Sequence, residues 1–299
     1  MVAAPELVRT IDVGNVLGEA VLWNDRRRSV WWTDIQNSRL FEYELQADAL
    51  QSWDMPHRVA CFGFVEDDDT LIVAFDHGIA FFHPPSGATE WLVGPDALGG
   101  GLRFNDGKVD PMGRFWVGTM VEDAAVAVGT GALYCLHPDE GLLERIDDVE
   151  ISNGLCWSPD GTVMYHADSP KGSIQAYRFD PDNGTLSEPW LFASAADGVH
   201  PDGSTVDADG GVWNAQWGGG RLVRYGPDGC ESLVIELPVR QPTCVTFGGD
   251  NLDLLFVTSA RVGLSKERLA VEPNAGNVFI YRTNSRGLPA NRFKASTPG

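Results

Sequence analysis

The sequence predicts an all-β protein folded as a six-bladed β-propeller, and two observations point to this fold class. Strand-like runs divided by Gly, Pro, Asn and Asp recur through the 299 residues, and no segment has the pattern of a helix of ordinary length. A short phrase, an Asn or Asp beside a glycine, recurs at Gly107, Gly154 and Gly203, and these glycines are 47 and 49 positions apart. Repeats near this length, built of strands and turns, are typical of propeller blades.

Each blade is expected to hold about four strands, two of which stand out in the sequence as a pair with a short link. Turns such as Ser158–Gly161 and Gly226–Gly229 supply the positive φ angles that tight hairpins need. The six pairs, in chain order, are residues 29–33 with 39–45, 70–74 with 78–82, 114–117 with 131–135, 162–166 with 173–177, 211–214 with 220–225, and 254–258 with 277–281.

A closed array of six blades is expected to form one domain over residues 1–299. Residues 1–16 would supply a strand that completes the last blade and closes the ring, which removes an exposed sheet edge. Residues 283–299 are polar and slightly basic, so we expect a tail that frays.

Composition and charge narrow the classes of partner. The formal net charge of −20 argues against nucleic acid and against an anionic membrane surface. The first residues carry neither a basic region nor an apolar run, and no segment approaches the roughly 20 apolar residues of a membrane span. The five cysteines are scattered, without a Cys-x-x-Cys pair, as is typical of free thiols in a reducing compartment. We therefore expect a cytoplasmic protein that binds neither nucleic acid nor membrane.

Several common catalytic motifs are missing from the sequence. It contains no Gly-x-Ser-x-Gly, no His-Glu-x-x-His and no phosphate loop of the Gly-x-x-x-x-Gly-Lys type. The segment Gly129–Gly131 begins like a dinucleotide fingerprint, but Tyr134 stands where the last glycine belongs. These absences disfavour a serine hydrolase, a zincin and a Rossmann oxidoreductase.

Oxygen-bearing side chains stand beside the repeated glycines. Residues just before the innermost strand of each blade are expected to converge at the mouth of the central channel. Asn153 and Asp202 occupy this place in consecutive repeats. Asn105 and Asp106 occupy it one blade earlier, and Glu19 matches it near the start of the chain. Asn-Gly and Asp-Gly also form ordinary turns, but two carboxylates and an amide carbonyl suit a divalent cation, so the sequence predicts a metal site at the channel mouth.

Motifs of one known family run through nearly the whole chain, from about Leu17 to Tyr281. They lie in Leu17–Glu19, Arg103–Asp110, Gly118–Met120, Ile151–Gly154, Pro201–Gly203, Gln241–Gly249 and Val257–Arg261. Together they resemble the regucalcin/gluconolactonase family of sugar lactonases. Within that family the chain is most similar to bacterial aldonolactonases, as the segment Trp213–Gly219 indicates. The resemblance implies a six-bladed propeller that hydrolyses a sugar lactone to its aldonic acid.

The resemblance also implies a set of metal ligands. Glu19, Asn153 and Asp202 match the family's ligands for one divalent ion, which could be Ca²⁺, Mn²⁺, Mg²⁺, Zn²⁺ or iron. Asp202 matches the residue credited with general-base action on water. The ion would polarise the lactone carbonyl as a Lewis acid.

Substrate-binding residues follow from the same resemblance. Arg103 and Asn105 match positions that bind the hydroxyls and ring oxygen of the sugar. After Gly118–Met120 the family often carries two acidic residues, the second of which touches substrate. Here this pair is Glu122 and Asp123, and both are taken as candidates.

Three further features could border the pocket. His200 stands beside Asp202, although a lone histidine is more often an ordinary packed side chain. Trp217 could stack on a sugar ring or serve only packing. Residues 121–129 join two strands over the channel mouth and could form a lid.

Two alternative functions use the same scaffold. A non-catalytic, calcium-binding regulatory propeller would need the same three metal ligands but not Arg103, Asn105 or the acidic pair. An esterase or phosphotriesterase would need a more apolar pocket than these polar residues indicate.

Overall fold

The computed structural model describes residues 4–66, 70–127, 129–137 and 140–295. Within them lie one short helix, α1 (Lys266–Val271), and one 3-10 turn, Ser169–Lys171. The strands, in chain order, are β1 (Glu6–Ile11), β2 (Gly18–Asn24), β3 (Ser29–Asp34), β4 (Arg39–Glu44), β5 (Ala49–Asp54), β6 (Val59–Phe64), β7 (Leu71–Phe75), β8 (Ile79–His83), β9 (Ala88–Val93), β10 (Leu102–Val109), β11 (Phe115–Val121), β12 (Gly131–His137), β13 (Gly141–Val149), β14 (Ser152–Trp157), β15 (Val163–Asp168), β16 (Ser173–Phe179), β17 (Leu186–Ser194), β18 (His200–Val206), β19 (Val212–Trp217), β20 (Arg221–Tyr225), β21 (Glu231–Glu236), β22 (Pro242–Gly248), β23 (Leu254–Ser259) and β24 (Val278–Arg282).

These strands form six antiparallel sheets of four strands, and the prediction of a six-bladed propeller is confirmed. Five sheets contain four consecutive strands each, beginning with β2, β6, β10, β14 and β18. The sixth has the order β1-β24-β23-β22, so a strand from the start of the chain is paired with the last strand. Neither helix in the described residues is long and apolar enough to cross a membrane.

The first strand of each blade lies at the centre of the molecule. Strands β2, β6, β10, β14, β18 and β22 each contact the first strands of the two neighbouring blades, which makes a closed ring. The largest fully buried side chains, such as Trp32, Trp116 and Trp213, lie on the second strands and pack between blades. This packing fixes the inner ring, and the ring in turn positions the residues at the channel mouth.

A buried aspartate links the first two strands in two of the blades. Asp110 follows β10, and its Oδ2 accepts a hydrogen bond of 2.9 Å from Nε1 of Trp116 on β11. Asp207 follows β18 and accepts the matching bond of 2.8 Å from Trp213 on β19. Both aspartates are fully buried, so the carboxylate also satisfies backbone N–H groups in its turn.

The described part of the polar segment after β24 makes backbone hydrogen bonds to the propeller, although a fraying tail was expected over residues 283–299. Gly287 donates its N–H to the carbonyl of Leu252 at 2.8 Å, and Phe293 forms a bridge with Val65. Lys294 donates its N–H to the carbonyl of Gly113 at 2.9 Å. Backbone pairing with the sixth, second and third blades therefore holds residues that composition alone marked as mobile.

His166 on β15 is buried, and this makes stability dependent on pH. Its Nε2 lies 2.9 Å from Oγ of Ser152, and burial lowers the pKa of His166 to about 4. The unfolded chain takes up this proton below about pH 6.5, whereas the folded protein resists it until about pH 4. The free energy of unfolding should therefore fall as the pH decreases from 6.5 to 4, by on the order of 3 kcal/mol from this group.

Denaturant unfolding at several pH values measures this effect. In His166→Gln the free energy of unfolding should fall less between pH 6.5 and 4 than in wild type, because the variant takes up about one proton fewer on unfolding. Equal pH dependence in wild type and variant would contradict the assignment to His166.

Candidate active site

The expected site residues lie inside the inner strands rather than before them. Each of these strands carries a β-bulge at this point, where the inner strand has extra residues that are not paired with the second strand of its blade. Bulges turn side chains away from the regular alternation, here toward the channel mouth. The pairing register shifts between Glu19 and Leu22, between Phe104 and Gly107, between Asn153 and Cys156, and between Pro201 and Ser204.

The repeated glycines allow the inner strands to approach one another closely. A Cβ on Gly203 would lie 2.6 Å from Sγ of Cys244 in the next blade. A Cβ on Gly107 would lie 2.7 Å from Sγ of Cys61. Gly154 has a φ of 65°, which few other residues adopt. The glycines therefore belong to the bulged strands themselves, and not to turns that enter the blades.

A cavity of about 460 Å³ opens at the channel mouth. This is within the range of volumes found for small-molecule sites. Asp202 is not part of the wall; it is 6% exposed, and its carboxylate lies close enough to Glu19 for their charges to interact. The wall includes Glu19, Arg103, Asn105, Glu122, Asn153, His200 and Trp217.

Two carboxylates and one amide, at the cavity wall or buried beside it, receive few hydrogen bonds from the described residues. Oδ1 of Asp202 is buried and has no hydrogen-bond donor among the described residues. From the described residues, the Glu19 carboxylate accepts a single bond, of 3.2 Å, from the N–H of Ala20. The amide nitrogen of Asn153 donates to Oγ of Ser169 at 2.8 Å, and its amide oxygen accepts one bond, of 3.1 Å, from the amide nitrogen of Asn105. Such oxygens could hold a divalent cation.

The electrostatics of the inner ring fit a cation at this place. Burial raises the pKa of Asp202 well above its usual value, and the charges of Glu19 and Asp106 raise it further. Burial and the charge of Asp106 also raise the pKa of Glu19, against an opposing effect of Arg103. Burial raises the pKa of Asp106, against an opposing effect of Lys108. A divalent ion would offset this mutual repulsion.

Asp106 also belongs to this charged group, although the repeated phrase predicts only that it lies beside Asn105 and gives it no role as a ligand. Its carboxylate accepts the N–H groups of Gly107 at 2.9 Å and Leu155 at 3.3 Å, so it is held by the backbone of two blades. Asn105, by contrast, lines the cavity, and its amide nitrogen donates to the amide oxygen of Asn153 at 3.1 Å.

Arg103 and Glu122 form an ion pair on the cavity wall. Nε of Arg103 lies 3.2 Å from Oε1 of Glu122, and Nη1 donates to Oδ1 of Asn105 at 2.9 Å. Arg58, which the sequence analysis missed, donates two further bonds of 2.7 and 2.8 Å to Glu122. The arginine pair lowers the pKa of Glu122, with Arg58 contributing most. Glu122 is therefore ionised and fixed in direction.

Of the two acidic candidates, the structure brings only Glu122 to the cavity. Strand β11 ends at Val121, and the chain then turns. Oδ1 of Asp123 accepts the N–H of Ala125 at 3.0 Å within the following loop. Asp123 is exposed and is not part of the cavity wall. The expected lid, residues 121–129, includes residue 128, which lies outside the described residues.

Comparisons with known proteins identify the family of this chain. The model of the SMP-30/Gluconolactonase/LRE-like region matches residues 17–261. The chain belongs to this family. The family match spans the inner strands of all six blades and every candidate site residue.

Relatives cover nearly the full length of the chain. An L-arabinolactonase from Azospirillum brasilense is 41% identical over 292 residues, which are 96% of this chain and 95% of the relative. A 6-deoxy-6-sulfogluconolactonase from Pseudomonas putida is 37% identical over 281 residues, 93% of this chain and 95% of the relative. The crystal structure of a calcium-binding protein, regucalcin, from Agrobacterium tumefaciens superimposes with a TM-score of 0.89 at 27% identity, covering 98% of both chains.

Proposed function

We propose that this protein, a sugar lactone lactonase, hydrolyses an aldonolactone to its aldonic acid in a metal-dependent reaction. The observation that carries the proposal is the buried Oδ1 of Asp202, which has no donor among the described residues and lies close to Glu19 beneath a polar cavity. Two relatives that align over nearly the whole chain are an L-arabinolactonase and a 6-deoxy-6-sulfogluconolactonase, which supports the substrate class.

Asp202 acts as the general base in this proposal. Its Oδ1 accepts a proton from the attacking water as the water oxygen bonds to the lactone carbonyl carbon. The proton then passes to the ring oxygen as the bond from that oxygen to the carbonyl carbon breaks. The product is a carboxylic acid with a free hydroxyl group, and the acid releases its remaining proton to the solvent, which leaves the carboxylate.

The polar wall residues bind and orient the sugar. Arg103 is 5% exposed, and its Nη1 is already held by the carbonyl of Phe104 at 2.8 Å, so its guanidinium has a fixed direction. Together with Asn105 and Glu122 it presents donors and acceptors for the hydroxyl groups and ring oxygen. Orientation of this kind supplies the positional part of the rate enhancement.

Glu19, Asn153 and Asp202 would hold the divalent ion. When bound, this ion supplies Lewis-acid polarisation of the carbonyl and stabilisation of the developing oxyanion. The hydroxyl of Ser169 fixes the Asn153 amide, and so the direction of its oxygen. This hydroxyl accepts a hydrogen bond from the amide nitrogen of Asn153 and donates one to the carbonyl of Pro201 at 2.7 Å.

A substrate panel tests the proposal. Acid release is measured from xylono-, arabinono-, galactono- and gluconolactone and from aryl esters, with and without a chelator. We expect hydrolysis of at least one sugar lactone, loss of activity with chelator, and recovery when Ca²⁺, Mg²⁺, Mn²⁺ or Zn²⁺ is added back. Calcium binding without hydrolysis of any lactone would instead support the non-catalytic propeller.

Glu122 and Asp123 provide a matched pair of variants. Glu122→Gln removes a charge from the cavity wall and breaks the ion pairs with Arg58 and Arg103, so kcat/KM should fall at least about tenfold. Asp123→Asn changes a neighbouring carboxylate that is not part of the cavity wall, and kcat/KM should stay within about twofold. Steady-state kinetics on the best lactone measure both, and a larger loss in Asp123→Asn would contradict the assignment.

A further inference from the structure

We propose that His57, Asp76 and His77 form a binding site for a divalent transition-metal ion such as Zn²⁺, separate from the site at the channel mouth. The three side chains are half-buried. One donor atom from each, a ring nitrogen or a carboxylate oxygen, lies within 4.8 Å of the other two. Donors around a tetrahedral Zn²⁺ stand about 3.4 Å apart at bond lengths near 2.1 Å, so small side-chain rotations bring these three into coordination.

The backbone holds the two contributing segments together. His57 and Arg58 precede β6, while Asp76 and His77 form the turn between β7 and β8. The N–H of Asp76 donates to the carbonyl of Arg58 at 2.8 Å. The N–H of Phe75 donates to the carbonyl of Gly78, also at 2.8 Å, and this bond closes the turn. The ligands therefore stand on a fixed hairpin and a tethered segment, which favours precise metal geometry.

The ring of His57 is held by packing alone. Its centroid lies 4.5 Å from that of His77, 5.5 Å from Phe75 and 5.8 Å from Trp91. Among the described residues, none forms a hydrogen bond with its ring nitrogens. A half-buried imidazole beside aromatic walls, with both nitrogens unused, is suited to bind a metal ion.

The charges around Asp76 are arranged as a metal-binding carboxylate requires. Its Oδ2 accepts from Nε of Arg58 at 2.9 Å, while Oδ1 is paired with Nδ1 of His77. Arg58 is neutralised in turn by its two bonds to Glu122. Arg103 also pairs with Glu122, so the two carboxylates and the two guanidiniums balance in charge. Metal-binding carboxylates are commonly oriented by such an outer partner.

The donor types separate this site from the channel site. Two imidazoles and one carboxylate favour Zn²⁺, Ni²⁺, Co²⁺ or Cu²⁺, whereas the oxygen-only group of Glu19 and Asp202 suits Ca²⁺ or Mg²⁺. None of the three residues His57, Asp76 and His77 lines the cavity. Saturating Ca²⁺ can therefore occupy the channel mouth while Zn²⁺ binds here.

Zinc titration by calorimetry, with the chain free of any added histidine tag and with saturating Ca²⁺ present, tests the proposal. Wild type should bind one equivalent of Zn²⁺, and the double variant His57→Gln/His77→Gln should bind it at least about 100-fold more weakly. His83→Gln is the matched control, since His83 lies near the end of the same hairpin but outside the cluster, and its titration should equal that of wild type. Zn²⁺ should also raise the unfolding temperature of wild type but not of the double variant.

Two results would overturn the site: no uptake of Zn²⁺ by wild type, or equal affinity and stoichiometry in the double variant. Circular dichroism checks the fold of each protein. If the double variant misfolds, His57→Gln alone serves, because its ring makes no hydrogen bond to the described part of the chain. Lactonase assays at the same Ca²⁺ concentration report separately on the channel site, so failure of one proposal does not decide the other.

Discussion

Asp202→Asn is expected to lower kcat/KM for the sugar lactone at least about 1,000-fold. General bases contribute about 10²–10⁴-fold, and this variant also removes the charge of a proposed metal ligand. The amide has nearly the same shape as the carboxylate. Since burial and the neighbouring carboxylates already disfavour ionised Asp202, the metal-free variant should unfold at or above the temperature of metal-free wild type.

Acid-release kinetics and thermal unfolding with chelator measure the two parts of this expectation. Asp209→Asn is the control, because Asp209 is exposed in the turn that follows the same inner strand. It should keep wild-type activity. Activity of Asp202→Asn within a few-fold of wild type would remove Asp202 from the mechanism.

Asp207→Ala is expected to lower the free energy of unfolding by about 3–5 kcal/mol. The Asp207 carboxylate is fully buried and accepts hydrogen bonds from the backbone of Asp209 and Gly211, from Nε1 of Trp213 and from Nε of Arg224 at 2.6 Å. The truncation leaves these donors without an acceptor, one of them a mostly buried guanidinium. Breaking a buried pair in this way is far more costly than losing a surface contact.

The fourth blade supplies the control for this prediction. There Ser158 stands where Asp207 stands in the fifth blade, and Met164, which has no N–H to satisfy, replaces the tryptophan. Ser158→Ala loses one hydrogen bond to Asp160 and one from Val163, so about 1 kcal/mol is expected. Denaturant unfolding midpoints compare the two variants, and equal losses would contradict the role of the buried aspartate.

The fold could be predicted because the second and third strands of each blade are apolar and joined by recognisable turns. The pairs found in the sequence coincide with these strands in all six blades. The first strands were harder to see, since their bulges and polar residues interrupt the alternation of apolar and polar positions. The fourth strands, such as β5, are exposed and polar along most of their length. Their sequences resemble loops.

The candidate site could be predicted only where a local phrase marks it. Asn153 and Asp202 stand beside repeated glycines, and these positions lie on neighbouring inner strands of the structure. Arg58 has no such mark, because its pairing with Glu122 joins residues 64 positions apart. The choice between Glu122 and Asp123 depends on where β11 ends, which propensity does not fix to within one residue.

The pairing of β1 with β24 has a consequence for how the protein is made. Ile11 pairs with Val278 in the finished sheet. At the usual rate of about 5–20 residues per second, about 10 to 50 seconds pass between the synthesis of these two residues. During this interval the first blade can fold, but the ring stays open and its strand edges are available to mispair. A chain truncated before residue 278 would therefore lack the strand that pairs with β1, and its ring could not close. We expect chaperones and proteases to bind such an open chain.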